Sequence, residues 1–343
     1  MAVRIAINGY GRIGRLVLRA AKKYKKDFDF VALHDLADIE ALYMVTKYDS
    51  IHGRFPGNVE LQGDKLVIDG DAMQVISGAS KRSSDPLDLP WRDYGVDYVV
   101  ESTGVFRKVS QLEGHLRSGA RRVILTVPSK DPLEATIVMG VNDGVIGPDH
   151  TIISNSSCTT NCAAPVAKVL HEHWGIAKGY LSTVHAFTND QRLFDYPHKD
   201  FRRARMATLS IIPTSTGAAQ ALGLVIPELD GRIEGIAFRV PVPTGSLIDL
   251  TVMLERKATA PEINEAMRAA CEGGLRGIMA YNTDPIVSVD IIGNPHSAIF
   301  DAELTHVRKD RMAKVVAWYD NEWGYSVRVT DLIEKVARMD GLL

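Results

Sequence analysis

The chain has 343 residues, 45% hydrophobic and 24% charged, with a formal net charge of -2. That length suggests two domains and a core large enough to stand without disulfides or bound metal. The near-zero charge gives no bulk attraction to nucleic acid or an anionic membrane, and no apolar run is long enough to span a bilayer.

The N-terminal residues lack the basic start, apolar stretch and cleavage site of a secretory signal, so a cytoplasmic protein without a transit peptide is expected. Residues 3–7 are a short strand-like run that leads directly into glycines. Ile13, Leu16, Val17, Ala20 and Ala21 then repeat at the spacing of one helical face, and residues 28–33 read as a second buried strand. Strand, turn, helix and strand in this order spell a βαβ unit. Further strands are expected at 96–101, 122–126 and 151–154, a doubly wound pattern.

The texture changes after about residue 158. Ile248, Leu250, Val252 and Leu254 alternate with Asp249, Thr251 and Met253, as in an antiparallel sheet with one covered face. Val287, Val289 and Ile291 alternate in the same way and predict another strand, as do residues 315–319. Ile263, Ala266, Met267, Ala270 and Cys271 share a helical face, which makes Cys271 a core thiol. Val329, Leu332, Ile333 and Val336 mark a last amphipathic helix. The expected fold is an α/β Rossmann-type dinucleotide-binding domain plus an α+β catalytic domain with a largely antiparallel sheet. The first covers residues 1–157, completed by the helix at 321–343, and the second covers 158–320.

Gly9, Gly11 and Gly14 form a GxGxxG between the first strand and helix. The glycines permit a tight turn and close approach of a pyrophosphate, with the amides of Arg12 and Ile13 at the positive helix end. Asp35 comes at the end of the second strand, where a carboxylate accepts adenine-ribose hydroxyls and repels a 2′-phosphate. NAD is therefore expected rather than NADP. The run from Glu101 to Gly104 is expected at the same sheet edge.

SNSSCTTNC, from Ser154 to Cys162, lies between a strand and an apolar stretch. Cys158 is thus expected near a helix N-terminus, which lowers a thiol pKa and exposes the sulfur. His185, in STVHAFTND, can take the thiol proton or pair with the thiolate. A zinc site is the competing reading, because C-x3-C is within ligand spacing and His171 and His173 are near, but a second Cys-His pair is missing. An inert core thiol is the other, opposed by the polar neighbours Ser156, Ser157, Thr159, Thr160 and Asn161. No metal is expected. Arg203 in FRRAR, Arg239 in FRVPVP and the turn at Thr216 and Gly217 offer positive charge and donors to an anion. Each arginine taken alone reads equally well as a structural ion pair.

INGYGRIGR, KYDSIHGRF, SNSSCTTNC, HAFTNDQR, PHKDFRRAR, SIIPTSTGAA and WYDNEWGYSVRV follow one another along essentially the whole chain. Together they closely resemble the phosphorylating glyceraldehyde-3-phosphate dehydrogenase family. The resemblance implies NAD-dependent conversion of glyceraldehyde 3-phosphate and inorganic phosphate to 1,3-bisphosphoglycerate by a homotetramer. It implies Cys158 as nucleophile and His185 as its base. It implies Thr188 and Arg239 for the substrate phosphate, and Ser157, Thr159, Arg203, Thr216 and Gly217 for inorganic phosphate. Thr126 and Asn321 would meet the cofactor, Asn321 at the nicotinamide amide, and the segment around Pro197 would reach toward a neighbouring subunit's cofactor.

The chain departs from that pattern in places. RVPVPTGS, from Arg239 to Ser246, stands where RVPTPNVS is usual, His34 replaces a common asparagine, and Ser84 precedes Asp85 with Arg82 displaced. Erythrose-4-phosphate dehydrogenase is the nearest rival, since the segments at 288–302 and 89–97 look somewhat like it. An NAD-binding redox sensor or interaction protein is the rival of another class. The intact set Cys158, His185, Thr188 and Arg239 argues for catalysis.

Overall fold

The computed structural model describes residues 2–77 and 85–343. Arg82 and Ser84, the adenine-side departures, lie outside the described residues. The chain forms two compact units. The first contains residues 1–137, 144–156 and 326–343; the second contains 138–143 and 157–325.

The first unit starts with β1 (Val3–Asn8), α1 (Arg12–Lys23), β2 (Phe28–His34) and α2 (Ile39–Lys47). An edge meander follows: β3 (Val59–Gln62), β4 (Lys65–Ile68) and β5 (Asp71–Ile76). Then come β6 (Tyr98–Glu101), α3 (Val109–Arg117), β7 (Arg122–Leu125), β8 (Ala135–Thr136) and β9 (Ile152–Ser154). The sheet order is β3-β4-β5-β2-β1-β6-β7-β9-β8. From β5 to β8 every pairing is parallel, and only the β3-β4-β5 edge is antiparallel. Strand order reverses at β1, between β2 and β6, which opens the ligand crevice of a doubly wound sheet above the carboxyl end of β1. In α1, Leu16, Val17, Ala20 and Ala21 are buried while Lys22 and Lys23 meet the negative end of the helix dipole.

The second unit holds α4 (Cys158–Trp174), β10 (Ile176–Ala186), β11 (Ile212–Ser215), α5 (Ala218–Val225), β12 (Ile233–Val240), β13 (Ser246–Leu254) and α6 (Ala260–Glu272). It continues with β14 (Met279–Asn282), β15 (Ala298–Arg308) and β16 (Met312–Tyr319). Their order is β11-β12-β10-β13-β16-β15-β14, parallel only at β10-β12 and β14-β15. The alternation in β13 does what its pattern dictates: Ile248, Leu250, Val252 and Leu254 enter the core with Val166, Leu170 and Met267 from the helices. Thr259 and Glu262 close a capping box at the start of α6, a strong local start signal. Cys271 packs part-buried against this core.

One expected strand is absent. Val287, Val289 and Ile291 belong to a turn of 3-10 helix at Ser288–Ile291, with Val287 and Val289 more than half exposed. Asp290 accepts a hydrogen bond from the Val287 amide (2.7 Å), so the backbone donor is satisfied locally and no sheet neighbour is needed. Alternating valines fit a strand only where a ladder partner exists.

The chain re-enters the first unit through α7 (Trp323–Met339). At its end Asp340 accepts from Arg122 Nε (2.7 Å) and from Tyr98, and Arg122 also caps the Pro148 carbonyl (2.9 Å). The two charged side chains are only 6% and 9% exposed. Asp340→Ala would leave a buried guanidinium without its counter-ion. We expect a loss of about 3 kcal/mol, read as a lower urea midpoint for the first unit.

Candidate active site

In the first unit the glycine turn has little freedom to change. Gly9 has a φ of +88°, and a Cβ there would lie 2.6 Å from the Thr103 backbone nitrogen. A Cβ on Gly14 would lie 2.3 Å from the Gly9 carbonyl oxygen. Gly11, by contrast, faces open space at the N-cap of α1. The helix has no side-chain cap and no acidic residue in its first turn, so its positive end is open to an anion. The Arg12 and Arg15 side chains turn away: Arg12 binds Asp49 (2.6 Å) and Arg15 binds the Tyr10 carbonyl (3.1 Å). Any contact of Arg12 and Ile13 with an anion here falls to their backbone.

Asp35 follows β2 directly. Its carboxylate accepts from the Tyr10 amide (2.8 Å) and the Ala37 amide (3.0 Å), which fixes it while leaving acceptor capacity for hydroxyls. Thr126, 5% exposed, sends both its amide and hydroxyl to the Glu101 carbonyl (3.0 Å each). Its side chain therefore braces β6 and β7.

A polar network not evident from the sequence lies beneath this edge. Fully buried Glu101 accepts from the side chains of Asn8, His115 and Thr103 and from the Thr103 amide. Trp91 Nε1 donates to His115 Nδ1 (2.8 Å). An indole N–H only donates, so His115 carries its proton on Nε2 and donates it in a hydrogen bond to Glu101 (3.0 Å). His34 Nδ1 lies 2.6 Å from Asn8 Oδ1, and burial pushes its pKa down. The network holds Thr103 against the Gly9 turn.

In the second unit Ser157 caps α4, its hydroxyl accepting from the Thr160 amide (3.1 Å), and Cys158 is the first helical residue. Cys158 Sγ stands 3.4 Å from His185 Nε2. The register that brings His185 there also pairs it with Arg239 across β10 and β12. His185 Nδ1 donates to the Ala186 carbonyl (2.7 Å), which leaves Nε2 to accept; Arg239 Nη1, 2.9 Å from Nδ1, donates to the same carbonyl (3.1 Å). Tyr319 closes the other side, its ring set edge-on to the imidazole with the ring centres 5.9 Å apart and its hydroxyl 2.9 Å from both Thr159 and Thr183. Tyr319 had no role in the sequence reading; its only signal is its place at the end of a strand next to Asp320 and Asn321.

The electrostatics revise one expectation. Burial pushes the Cys158 thiol up; Arg239 and the hydroxyl and amide of Thr159 pull it down without cancelling that effect. Burial, reinforced by Arg239, pushes the His185 imidazole down to about 3. The helix start alone would lower the thiol pKa, but desolvation outweighs it here. The resting pair is thus a thiol and a neutral imidazole, close enough for one proton transfer.

The remaining anion candidates are spread around β10 and β12. Arg203 binds Thr214 Oγ1 (2.9 Å), the Ser215 carbonyl (3.2 Å) and Asp190, so it also has the structural role that a lone arginine allows. Arg203 and Arg239 both act electrostatically on His185. Thr216 Oγ1 accepts from the Ala218 amide (3.2 Å), and Gly217 caps α5 with open space around it. Thr188 lines a cavity of about 490 Å³ with Phe187, Asn189 and Gln191. Cys162 is buried with its sulfur 3.9 Å from the Ala317 carbonyl. Among the described residues no three His, Cys, Asp or Glu side chains form a metal-holding group, and no helix is long and apolar enough to cross a membrane.

A dinucleotide-type glycine turn with a carboxylate after the second strand, and a separate unit carrying a thiol–imidazole pair, are the features of a nicotinamide-dependent dehydrogenase. Comparison with known proteins agrees. Residues 3–109 match the family model for the NAD binding domain of glyceraldehyde 3-phosphate dehydrogenase, and residues 157–321 match that for its C-terminal domain. The chain is 51% identical to the glyceraldehyde-3-phosphate dehydrogenase of Mycolicibacterium smegmatis, over 98% of its own length and 99% of the relative's. It is 52% identical to that of Mycobacterium tuberculosis strain H37Rv, over 98% and 99%. It is 50% identical to the chromosomal enzyme of Cupriavidus necator, over 96% and 97%. The chain belongs to the glyceraldehyde-3-phosphate dehydrogenase family, and it is an NAD-dependent oxidoreductase.

Proposed function

We propose that the chain oxidises D-glyceraldehyde 3-phosphate with NAD and inorganic phosphate to 1,3-bisphosphoglycerate, through a thiohemiacetal and a thioester on Cys158. The observation that carries this is the 3.4 Å approach of Cys158 Sγ to His185 Nε2 at the start of α4, with Arg239 against the ring.

His185 Nε2 takes the thiol proton as Sγ attacks the aldehyde carbon, and the alkoxide oxygen forms facing the N-terminal turn of α4. The adduct oxygen takes that proton from the imidazolium, and the imidazole, neutral again, removes it as the carbon loses hydride. NAD, when bound, supplies the hydride acceptor; Gly9, Gly11, Gly14 and the amides of Arg12 and Ile13 would hold its pyrophosphate, Asp35 its adenine ribose, Thr126 its nearby edge and Asn321 its carboxamide. The cradle fits such a group because Gly11 and the uncapped α1 leave space and positive potential where a phosphate would lie.

The thioester keeps the oxidation energy. Inorganic phosphate, held by Ser157, Thr159, Arg203, Thr216 and Gly217, attacks its carbonyl and Cys158 leaves as thiolate, which regains its proton from His185. Thr188 and Arg239 hold the phosphate already on the substrate.

Arg239→Met is expected to lower kcat/KM for the phosphorylated aldehyde by roughly 30- to 150-fold, the worth of a charge-assisted contact. Unphosphorylated glyceraldehyde should lose less, because the phosphate contact is absent from it and only the influence of Arg239 on Cys158 and His185 remains. Steady-state assays on the two aldehydes check this.

The deciding assay is NADH formation with and without inorganic phosphate, with NAD and NADP side by side and erythrose 4-phosphate as competing aldehyde. Rates independent of phosphate would sink the proposal. Self-association into a cytoplasmic homotetramer is part of the same reading. Its support is the run of exposed apolar side chains Leu193, Phe194, Tyr196, Phe201, Leu209 and Ile211, with Phe201 87% exposed. Light scattering on the purified protein should return four chains.

A further inference from the structure

The departure at Arg239 to Ser246 has a physical counterpart around Asn321. Asn321, 5% exposed, receives two firm hydrogen bonds on one side-chain atom: the Gly245 amide (3.1 Å) and the Ser246 hydroxyl (2.9 Å). A backbone N–H only donates, so the atom facing Gly245 is the oxygen, and the orientation of the carboxamide is not arbitrary. Ser246 is itself directed, because its hydroxyl accepts from the Ala186 amide (3.1 Å) and has its proton left for Asn321. Ala186 is the residue next to His185, so the same serine ties Asn321 to the strand that carries the base.

A loop clamps this turn from outside. Asp320 accepts from the Thr244 hydroxyl (3.0 Å) and the Trp323 amide (2.9 Å) through one oxygen, and from the Gly293 amide (2.7 Å) through the other. The Ser288 carbonyl oxygen sits where a Cβ on Gly245 would come within 2.4 Å, and Gly245 has a φ of +89°. The His296 carbonyl oxygen lies equally close over Gly324, 2.6 Å from a Cβ built there. Glycine at 245, where the family usually has valine, and the segment at 288–296 are therefore one coupled feature. A valine would drive the loop off the turn.

We infer that Ser246 and the Gly245 amide, backed by Thr244 and Asp320, are positioning groups that lock Asn321 with its oxygen inward and its NH2 outward, as a one-way donor to the carboxamide oxygen of the nicotinamide. The Nδ2 group has no partner among the described residues, which leaves both its hydrogens for a ligand. An amide held this way accepts one orientation of the carboxamide and so fixes which face of the pyridine ring is presented. The inference rests on the proposed contact of Asn321 with the nicotinamide.

The test compares NAD with ADP-ribose, which lacks the nicotinamide, by calorimetric titration of the intact oligomer. Ser246→Ala should weaken NAD about five- to tenfold, the loss of one buried hydrogen bond, and leave ADP-ribose within about twofold. Asn321→Ala should do the same, and the double variant should lose no more than Asn321→Ala alone. Thr244→Val is the second variant and should weaken NAD about two- to threefold with ADP-ribose unmoved. If Asn321→Ala weakens NAD selectively but Ser246→Ala and Thr244→Val do not, the positioning inference is overturned and the Asn321 contact stands. Equal weakening of both ligands in Ser246→Ala also overturns it, as that marks general damage. If Asn321→Ala leaves the NAD to ADP-ribose ratio unchanged, the contact itself is wrong and the inference goes with it.

Discussion

Cys158→Ser is expected to lower phosphate-dependent NADH formation by about 10⁴-fold or more while NAD affinity stays as it was. Two features of the site make the loss so large. The imidazole facing the nucleophile has its pKa pushed down to about 3 by burial and by Arg239, so it is a weak base. A thiol, even one raised by desolvation, can still lose its proton across 3.4 Å as the new bond forms. An alcohol is far less acidic, and nothing in the pocket makes up the difference. An ester on serine would also lack the reactivity of a thioester toward phosphate. Steady-state rates and a single-turnover burst check both halves. Full activity in the serine variant would return the redox-sensor reading to consideration.

His185→Asn has the second large effect, and it is twofold. The variant should lose about 10²- to 10⁴-fold in kcat, the usual worth of a positioned general base. It should also change the acid limb of stability. The imidazole titrates near 6.5 in the unfolded chain and about 3 in the fold. Below pH 6.5 the unfolded state therefore binds the proton first, and folding stability drops as pH falls toward 3. By pH 5 the wild type should have lost about 2 kcal/mol from this group alone, relative to pH 7.5. Asparagine does not titrate, so the variant should lack that part of the drop. Melting temperatures from pH 7.5 to pH 5, at fixed protein concentration, measure the difference. Parallel curves for wild type and variant would show that His185 is not held neutral by burial.

Some of this site is legible from residue order because its chemistry falls at junctions between elements. Gly9, Gly11 and Gly14 lie between a strand and a helix, Asp35 directly after a strand, and Cys158 at the first position of a helix. Each junction carries its own local signal of glycine, turn or cap. The β13 alternation is equally local, since every second residue meets the same core. Other features depend on pairings that order along the chain does not encode. Tyr319 reaches Thr159 across a separation of 160 residues, and Asn8 reaches Glu101 across 93. The tautomer of buried His115 is set by Trp91, 24 residues away in the chain, which residue order does not show. The direction of the Cys158 shift was misread for the same reason: a helix start can be seen in sequence, but the apolar walls that desolvate it cannot. The strand expected at 287–291 failed because alternation tells which side chains share a face and not whether a neighbouring strand is there to bond.

The Arg122–Asp340 pair has a consequence for synthesis on the ribosome. The first unit is interrupted by the second, and its last piece is made last. Arg122 is translated early, yet the carboxylate that neutralises it arrives only with residue 340. At ordinary translation speeds this leaves roughly ten to forty seconds in which the N-terminal sheet carries an unmatched guanidinium at a site that is buried once folded. The second unit, residues 138–143 and 157–325, has its full sequence before the first does. The first unit, although it is the first to emerge, therefore cannot close its Arg122–Asp340 pair until the sequence of the second is complete.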